Sequence, residues 1–179
     1  MTLNFHNFIR SCLVISALLS VTSSYVHASF DLSLKSIDDS EHKLSEYIGQ
    51  GKWVVLNIWG TRCPPCREEM PELVRFHDEH NNDDAIVVGV AIDFPSYGYA
   101  NQDDVIAFAE EYLIDFPLLL SDASITDKIG LGWLEGLPTT YLFNPSGEVV
   151  GVQVGGITKK ILEDFINKKL QSPSSKYKQ

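Results

Sequence analysis

Cys63, Pro64, Pro65 and Cys66 are the residues of this chain whose types and spacing point most directly to chemistry. Two thiols separated by two residues can close into a disulfide, open to a dithiol, or hold a soft metal ion. In redox use, one sulfur attacks a disulfide as thiolate and the other resolves the mixed disulfide that forms. The third cysteine, Cys12, falls in an apolar N-terminal stretch expected to be cleaved away. An exported chain left with one close pair is not a disulfide scaffold, so the pair is either redox-active or half of a metal site.

The surroundings favour redox use. A helix that starts at the prolines places its N-terminal dipole on Cys63, which favours thiolate there. Cys63 is then the nucleophile, and Cys66, inside the first turn, the resolving thiol. Arg62 adds a neighbouring positive charge, unless it is simply a solvated loop residue. Glu69 lies three residues after Cys66 and four before Leu73, on the face that Met70 and His77 mark as inward. Held near a sheet, its carboxyl would be desolvated and raised in pKa, poised to exchange protons with Cys66. The plainer alternative is a glutamate that supports the helix start. Glu68 points the other way, into solvent.

A zinc site built from Cys63, Cys66, His77 and His80 is the competing use of the thiols. If one helix joins Cys66 to His77, the two lie about 16 Å apart. Ligands of one zinc ion sit within about 2.3 Å of it, so that geometry fails. No metal or other cofactor is expected, although copper or zinc held by the two thiols alone stays open.

The elements needed to position the pair are legible. Trp53 to Trp59 is a nearly continuous apolar run, which predicts a strand buried on both faces. The loop Gly60 to Arg62 leads into a helix from Pro64 to about His80. Ala85 to Ile92 reads as a second buried strand, and Asn101 as the cap of a helix through Leu113. Phe116 to Leu120 predicts a short strand, and Ser124 to Ile129 a turn or two of helix. Thr139 to Phe143, the turn Asn144-Pro145-Ser146-Gly147 and Glu148 to Val154 predict an antiparallel pair. Thr158 caps a last helix with Ile161, Leu162, Phe165, Ile166 and Leu170 as its apolar face. This alternation predicts an α/β domain, a mixed sheet with helices on both faces and a short hairpin from Phe30 to Tyr47 in front.

Residues 1–28 read as a signal peptide, or as an uncleaved anchor. Arg10 is the n-region charge, Cys12 to Val21 the apolar core, and Val26-His27-Ala28 the cleavage site. Residues 29–170 form the domain and 171–179 a polar tail. The 179-residue chain carries a formal charge of −10. Cleavage removes Arg10 and no acid, taking the charge from −10 to −11. That acidity argues against nucleic acid and anionic membrane surfaces as partners.

The run Leu56-Asn57-Ile58-Trp59-Gly60-Thr61-Arg62-Cys63-Pro64-Pro65-Cys66-Arg67-Glu68-Glu69-Met70-Pro71-Glu72-Leu73 closely resembles the active-site run of the TlpA- and ResA-type exported thioredoxins. Gly136 to Phe143 resembles their second signature, and the similarity covers Phe30 to Leu170. The resemblance implies a thioredoxin-like fold, a cis peptide before Pro138, and a proline loop lying against the cysteines. It implies that Leu137 pairs its backbone with the client chain and that Glu69 tunes the thiols. Pro138, Arg62 and Trp59 complete the expected client-binding surface. Two departures matter. Arg62 stands where the family usually has tryptophan. Asn57 stands where cytoplasmic thioredoxins carry a buried aspartate, and asparagine cannot titrate.

By this resemblance the chain is a periplasmic thiol–disulfide oxidoreductase that reduces disulfides in client proteins of cytochrome c maturation or metal-site assembly. A membrane thiol–disulfide donor would regenerate it. The same cysteines could instead serve a disulfide oxidant or isomerase, or a metallochaperone. A peroxidase is disfavoured, since the threonine- and proline-containing loop of peroxiredoxins is not found.

Overall fold

The computed structural model describes residues 30–171. The expected signal segment, residues 1–28, and the tail beyond Gln171 lie outside the described residues. Seven strands form one mixed sheet: β1 (Ser33–Ser36), β2 (Glu41–Lys43), β3 (Trp53–Trp59), β4 (Ala85–Ala91), β5 (Leu118–Leu120), β6 (Thr139–Phe143) and β7 (Val149–Val154). The helices are α1 (Pro64–His80), α2 (Gln102–Tyr112), α3 (Ile125–Lys128) and α4 (Lys159–Gln171).

The strand order is β2-β1-β5-β4-β3-β6-β7. β3, β4 and β5 run parallel, while β6 and β7 return antiparallel. Two successive crossovers, β3 to β4 and β4 to β5, step in the same direction along the sheet. Right-handed connections then place α1 and α2 on the same face. Their apolar residues join those of α4 in one core that includes Trp59, Cys66, Leu73, Phe108, Leu162 and Ile166. The opposite face is covered by the N-terminal segment and α3, through Phe30, Leu44, Ile48, Ile125 and Ile129. Helices therefore flank both faces, but unequally.

β3 is buried along its whole length. Its side chains alternate between the layers, with Val54, Leu56 and Ile58 on one face and Trp53, Val55 and Trp59 on the other. Asn57 shares the parity of Trp59 and so faces the helices. The expected N-terminal hairpin forms, and β1 also pairs with β5, so the hairpin extends the sheet instead of standing in front of it.

Strand boundaries and one apolar face differ from the sequence expectation. β5 starts at Leu118, because Pro117 has no N–H to donate. β4 ends at Ala91. In α4 only Leu162 and Ile166 of the expected apolar stripe are buried. Ile161 and Leu170 are exposed, because the helix lies on the sheet along a narrower line than its apolar residues span. The cap of α2 is as expected, with Asn101 Oδ1 accepting from the Asp104 N–H at 3.0 Å.

Candidate active site

Cys63 is the N-cap of α1, with extended backbone, and Pro64 and Pro65 open the helix. Cys63 and Cys66 are joined as a disulfide with their Cα atoms 5.3 Å apart, and both are buried. The prolines have no N–H, so the first backbone donor that the helix start can offer a Cys63 thiolate is that of Cys66. The next N–H, of Arg67, already bonds the Cys63 carbonyl at 3.1 Å. The helix start is thus a weaker anion site than its dipole alone implies.

Glu69 is buried one turn along α1 from Cys66, on the same inward stripe. Asn57 Nδ2 donates to Glu69 Oε1 at 2.9 Å, and the Ile157 N–H donates to Glu69 Oε2 at 2.8 Å. Burial pushes the Glu69 carboxyl up to about 7, against the pull of those two donors, which favour its charged form. The inward face expected from spacing is real, and Glu68 is exposed.

Arg62 meets a different partner than expected. Its guanidinium is ion-paired with Asp93, which also accepts from the Ser96 hydroxyl. The Ser96 hydroxyl and then Arg62 hold the Asp93 carboxyl below the usual carboxylate range. Parallel pairing sets Trp59 opposite Ala91, so the loops leaving β3 and β4 lie side by side and bring Arg62 to Asp93. The cysteine pair therefore feels an ion pair more than a lone cation. Arg62→Ala is accordingly expected to shift the pH profile of Cys63 alkylation by less than about half a unit. A shift of a full unit would restore the direct role.

Trp59 was expected to face clients, and the structure corrects this. Its side chain is fully enclosed, against Phe108 at 4.7 Å between ring centroids. Its position on the helix side of a central strand leaves it no solvent face. It supports the site from below. Phe108 in turn stacks on Tyr112, and Arg67 lies over both rings at 5.1 and 5.3 Å. Arg67 also pairs with Glu111 and donates to the Thr61 carbonyl, so it ties the loop before Cys63 to α2. No sequence signal marks this clamp, because its partners lie 41 to 45 residues further along the chain.

The Leu137–Pro138 peptide is cis. Pro138 is buried, and its carbonyl accepts from the Gly155 N–H at 2.8 Å. Leu137 is half-buried and packs against the core that contains both cysteines. Gly60 lets the loop before Cys63 pass close to the end of the neighbouring strand. A Cβ there would stand 2.9 Å from the Ile92 carbonyl oxygen and 3.6 Å from Leu137 Cδ1.

The two histidines of the zinc alternative are engaged elsewhere. His77 is buried, and its Nδ1 accepts from the Val87 N–H at 3.1 Å. His80 pairs with Asp84 and Glu163.

Fold and site together define a thioredoxin-like protein with a Cys-Pro-Pro-Cys pair at the mouth of its first helix. Residues 27–152 match the AhpC/TSA family, and the chain belongs to it. It is 34% identical over 118 residues to the thiol-disulfide oxidoreductase ResA of Halalkalibacterium halodurans, covering 65% of this chain and 62% of that protein. It is 34% identical over 137 residues to the thioredoxin-like protein YneN of Bacillus subtilis, covering 76% and 75% of the two chains. A thiol:disulfide interchange protein of the thioredoxin family from Chlorobium tepidum superposes with a TM-score of 0.66 at 23% identity, over 78% of this chain and 92% of that one.

Proposed function

We propose that this protein is an exported thiol–disulfide oxidoreductase that reduces disulfides in client proteins. The observation that carries the reading is the Cys63–Cys66 disulfide at the start of α1 with the Glu69 carboxyl buried one turn along the same helix. The similarity to ResA supports the same chemistry.

Reduced Cys63, as thiolate, attacks one sulfur of a client disulfide and expels the other as thiolate, which takes up a proton. Cys66 loses its proton to the Glu69 carboxylate and attacks Cys63 of the mixed disulfide. The client leaves as a dithiol and the protein as the disulfide, two electrons having passed. A membrane thiol–disulfide donor returns those electrons. Leu137 and Pro138 receive the client chain, and Arg62, paired with Asp93, forms part of the rim. Clients of cytochrome c maturation or of metal-site assembly fit this reading, as does export directed by residues 1–28.

What supports the reducing direction is how little the site offers a Cys63 thiolate. A strong oxidant of this fold is one whose reduced form is stabilised. Here Pro64 and Pro65 remove two backbone donors, and Asp93 takes up the charge of Arg62. The dithiol form gains little, so the disulfide gives up its place reluctantly. Equilibration with glutathione and thioredoxin buffers, read by mass after alkylation, tests the direction. A potential toward about −270 mV is expected, and one near −120 mV would make the protein an oxidant instead.

A further inference from the structure

Asn57 cannot titrate and takes no proton in the exchange. It is fully buried in the middle of β3, on the face that α1 covers. Both hydrogens of its side-chain amide are engaged. One goes to Glu69 Oε1 at 2.9 Å, the other to Thr140 Oγ1 on β6 at 3.0 Å. Its own oxygen, Oδ1, is buried without a hydrogen-bond partner among the described residues.

That asymmetry determines how the amide is turned. Rotated by half a turn, Oδ1 would face the Glu69 carboxylate, acceptor against acceptor. An apolar side chain would fill this strand position with no orphaned oxygen, so the amide is costly except for what its two N–H groups do. What they do is join two parts of the site. Thr140 lies two residues after Pro138 on the strand that leaves the cis-proline loop. A second connection closes the circle: the Pro138 carbonyl accepts from Gly155, and two residues on, the Ile157 N–H donates to Glu69 Oε2.

We propose that Asn57 is a positioning residue of the exchange reaction, whose amide holds Glu69 as a carboxylate and anchors it to the strand that carries the client loop. The inference rests on the reading of Glu69 given under Proposed function. Among the described residues, the groups recorded as hydrogen-bonding Glu69 are uncharged: the Asn57 amide from β3 and the Ile157 N–H from the segment before α4. Cys66, one turn earlier on α1, is disulfide-bonded. Glu72, one turn later, is turned to Arg75 and to the Lys159 N–H. The Asn57 amide is therefore the one side-chain donor recorded on this carboxylate among the described residues. Without it the carboxylate holds its proton more tightly, and less of it is free at neutral pH to take the proton of Cys66.

The test reads the Glu69 carboxyl directly by carbon-13 NMR against pH, in the purified oxidised protein, with Glu69→Gln to assign the signal. Asn57→Leu is expected to raise the midpoint by about one pH unit, a drop in carboxylate fraction of about fivefold at the wild-type midpoint and about tenfold well below it. Thr140→Val, which frees the amide on one side, is expected to shift it in the same direction by less. A midpoint within about 0.3 units of wild type in Asn57→Leu would overturn the proposal. If Asn57→Leu does not fold, Thr140→Val decides alone, an unmoved midpoint counting against it. The pH profile of exchange gives the second readout. The Asn57→Leu shift is expected to vanish in a Glu69→Gln background, and persistence there would make Asn57 merely structural. The NMR readout needs no client, so it decides the role of Asn57 even if the protein reduces none.

Discussion

The Cys66→Ala protein is expected to accumulate as a mixed disulfide with its clients, whereas Cys63→Ala forms none and loses exchange by about a thousandfold or more. The roles follow from where the helix places each sulfur. Cys63 is the cap, outside the helix at its mouth, with the loop from Gly60 in front of it. Cys66 lies on the stripe of α1 that continues through Glu69, Met70 and Leu73 into the core. Both sulfurs are buried in the oxidised form, so the expectation rests on Cys63 lying outside the helix, on the loop side, while Cys66 lies within its first turn. Removing Cys66 leaves the attack intact and removes only the step that releases the client, so the covalent intermediate persists. Trapping from an extract of exported proteins, followed by mass spectrometry of the disulfide-linked peptides, reads both outcomes. Covalent adducts on Cys66 in the Cys63→Ala protein would reverse the assignment of the two thiols.

The second large effect concerns pH. Folding raises the Glu69 carboxyl from the ordinary 4.5 to about 7, mainly through burial. A carboxyl raised on folding favours the folded state while it is protonated. Its contribution is complete below about pH 4.5 and is lost as the pH climbs through about 7. Across that window the oxidised protein is expected to lose about 3 kcal/mol of stability that Glu69→Gln keeps, so the two stability curves converge or cross as pH rises. The slope of the difference is the diagnostic, since glutamine cannot accept both the Asn57 and the Ile157 donors and starts from a different level. Denaturant unfolding at pH 4 to 8 measures it. Parallel curves would mean that the carboxyl is not desolvated as its burial indicates. The exchange rate is expected to follow the same group, rising with the carboxylate fraction in the wild type and losing that limb in Glu69→Gln.

These two results also mark the boundary between near and distant causes in this chain. The strand Trp53–Trp59, the helix Pro64–His80 and the Asn101 cap were legible residue by residue, because apolar alternation, proline placement and capping act within one or two turns of chain. The inward turn of Glu69 followed from helix spacing for the same reason. The resemblance of two separate motifs supplied the cis peptide at Pro138, which no periodicity encodes.

Side-chain partners were a different matter. Arg62 adjoins Cys63 in sequence, but the parallel register of β3 and β4 delivers it to Asp93. Trp59, directly before the loop, looked available to clients until strand parity put it under Phe108. Arg67 became a clamp only once α2 had crossed the same face of the sheet. Asn57 was readable as a residue that cannot titrate. That its amide reaches from Glu69 to Thr140, 83 residues away, was decided by the pairing of β3 with β6. The residues able to react are local facts of the chain. Their charges and protons are governed by neighbours that only the folded sheet brings within hydrogen-bonding distance.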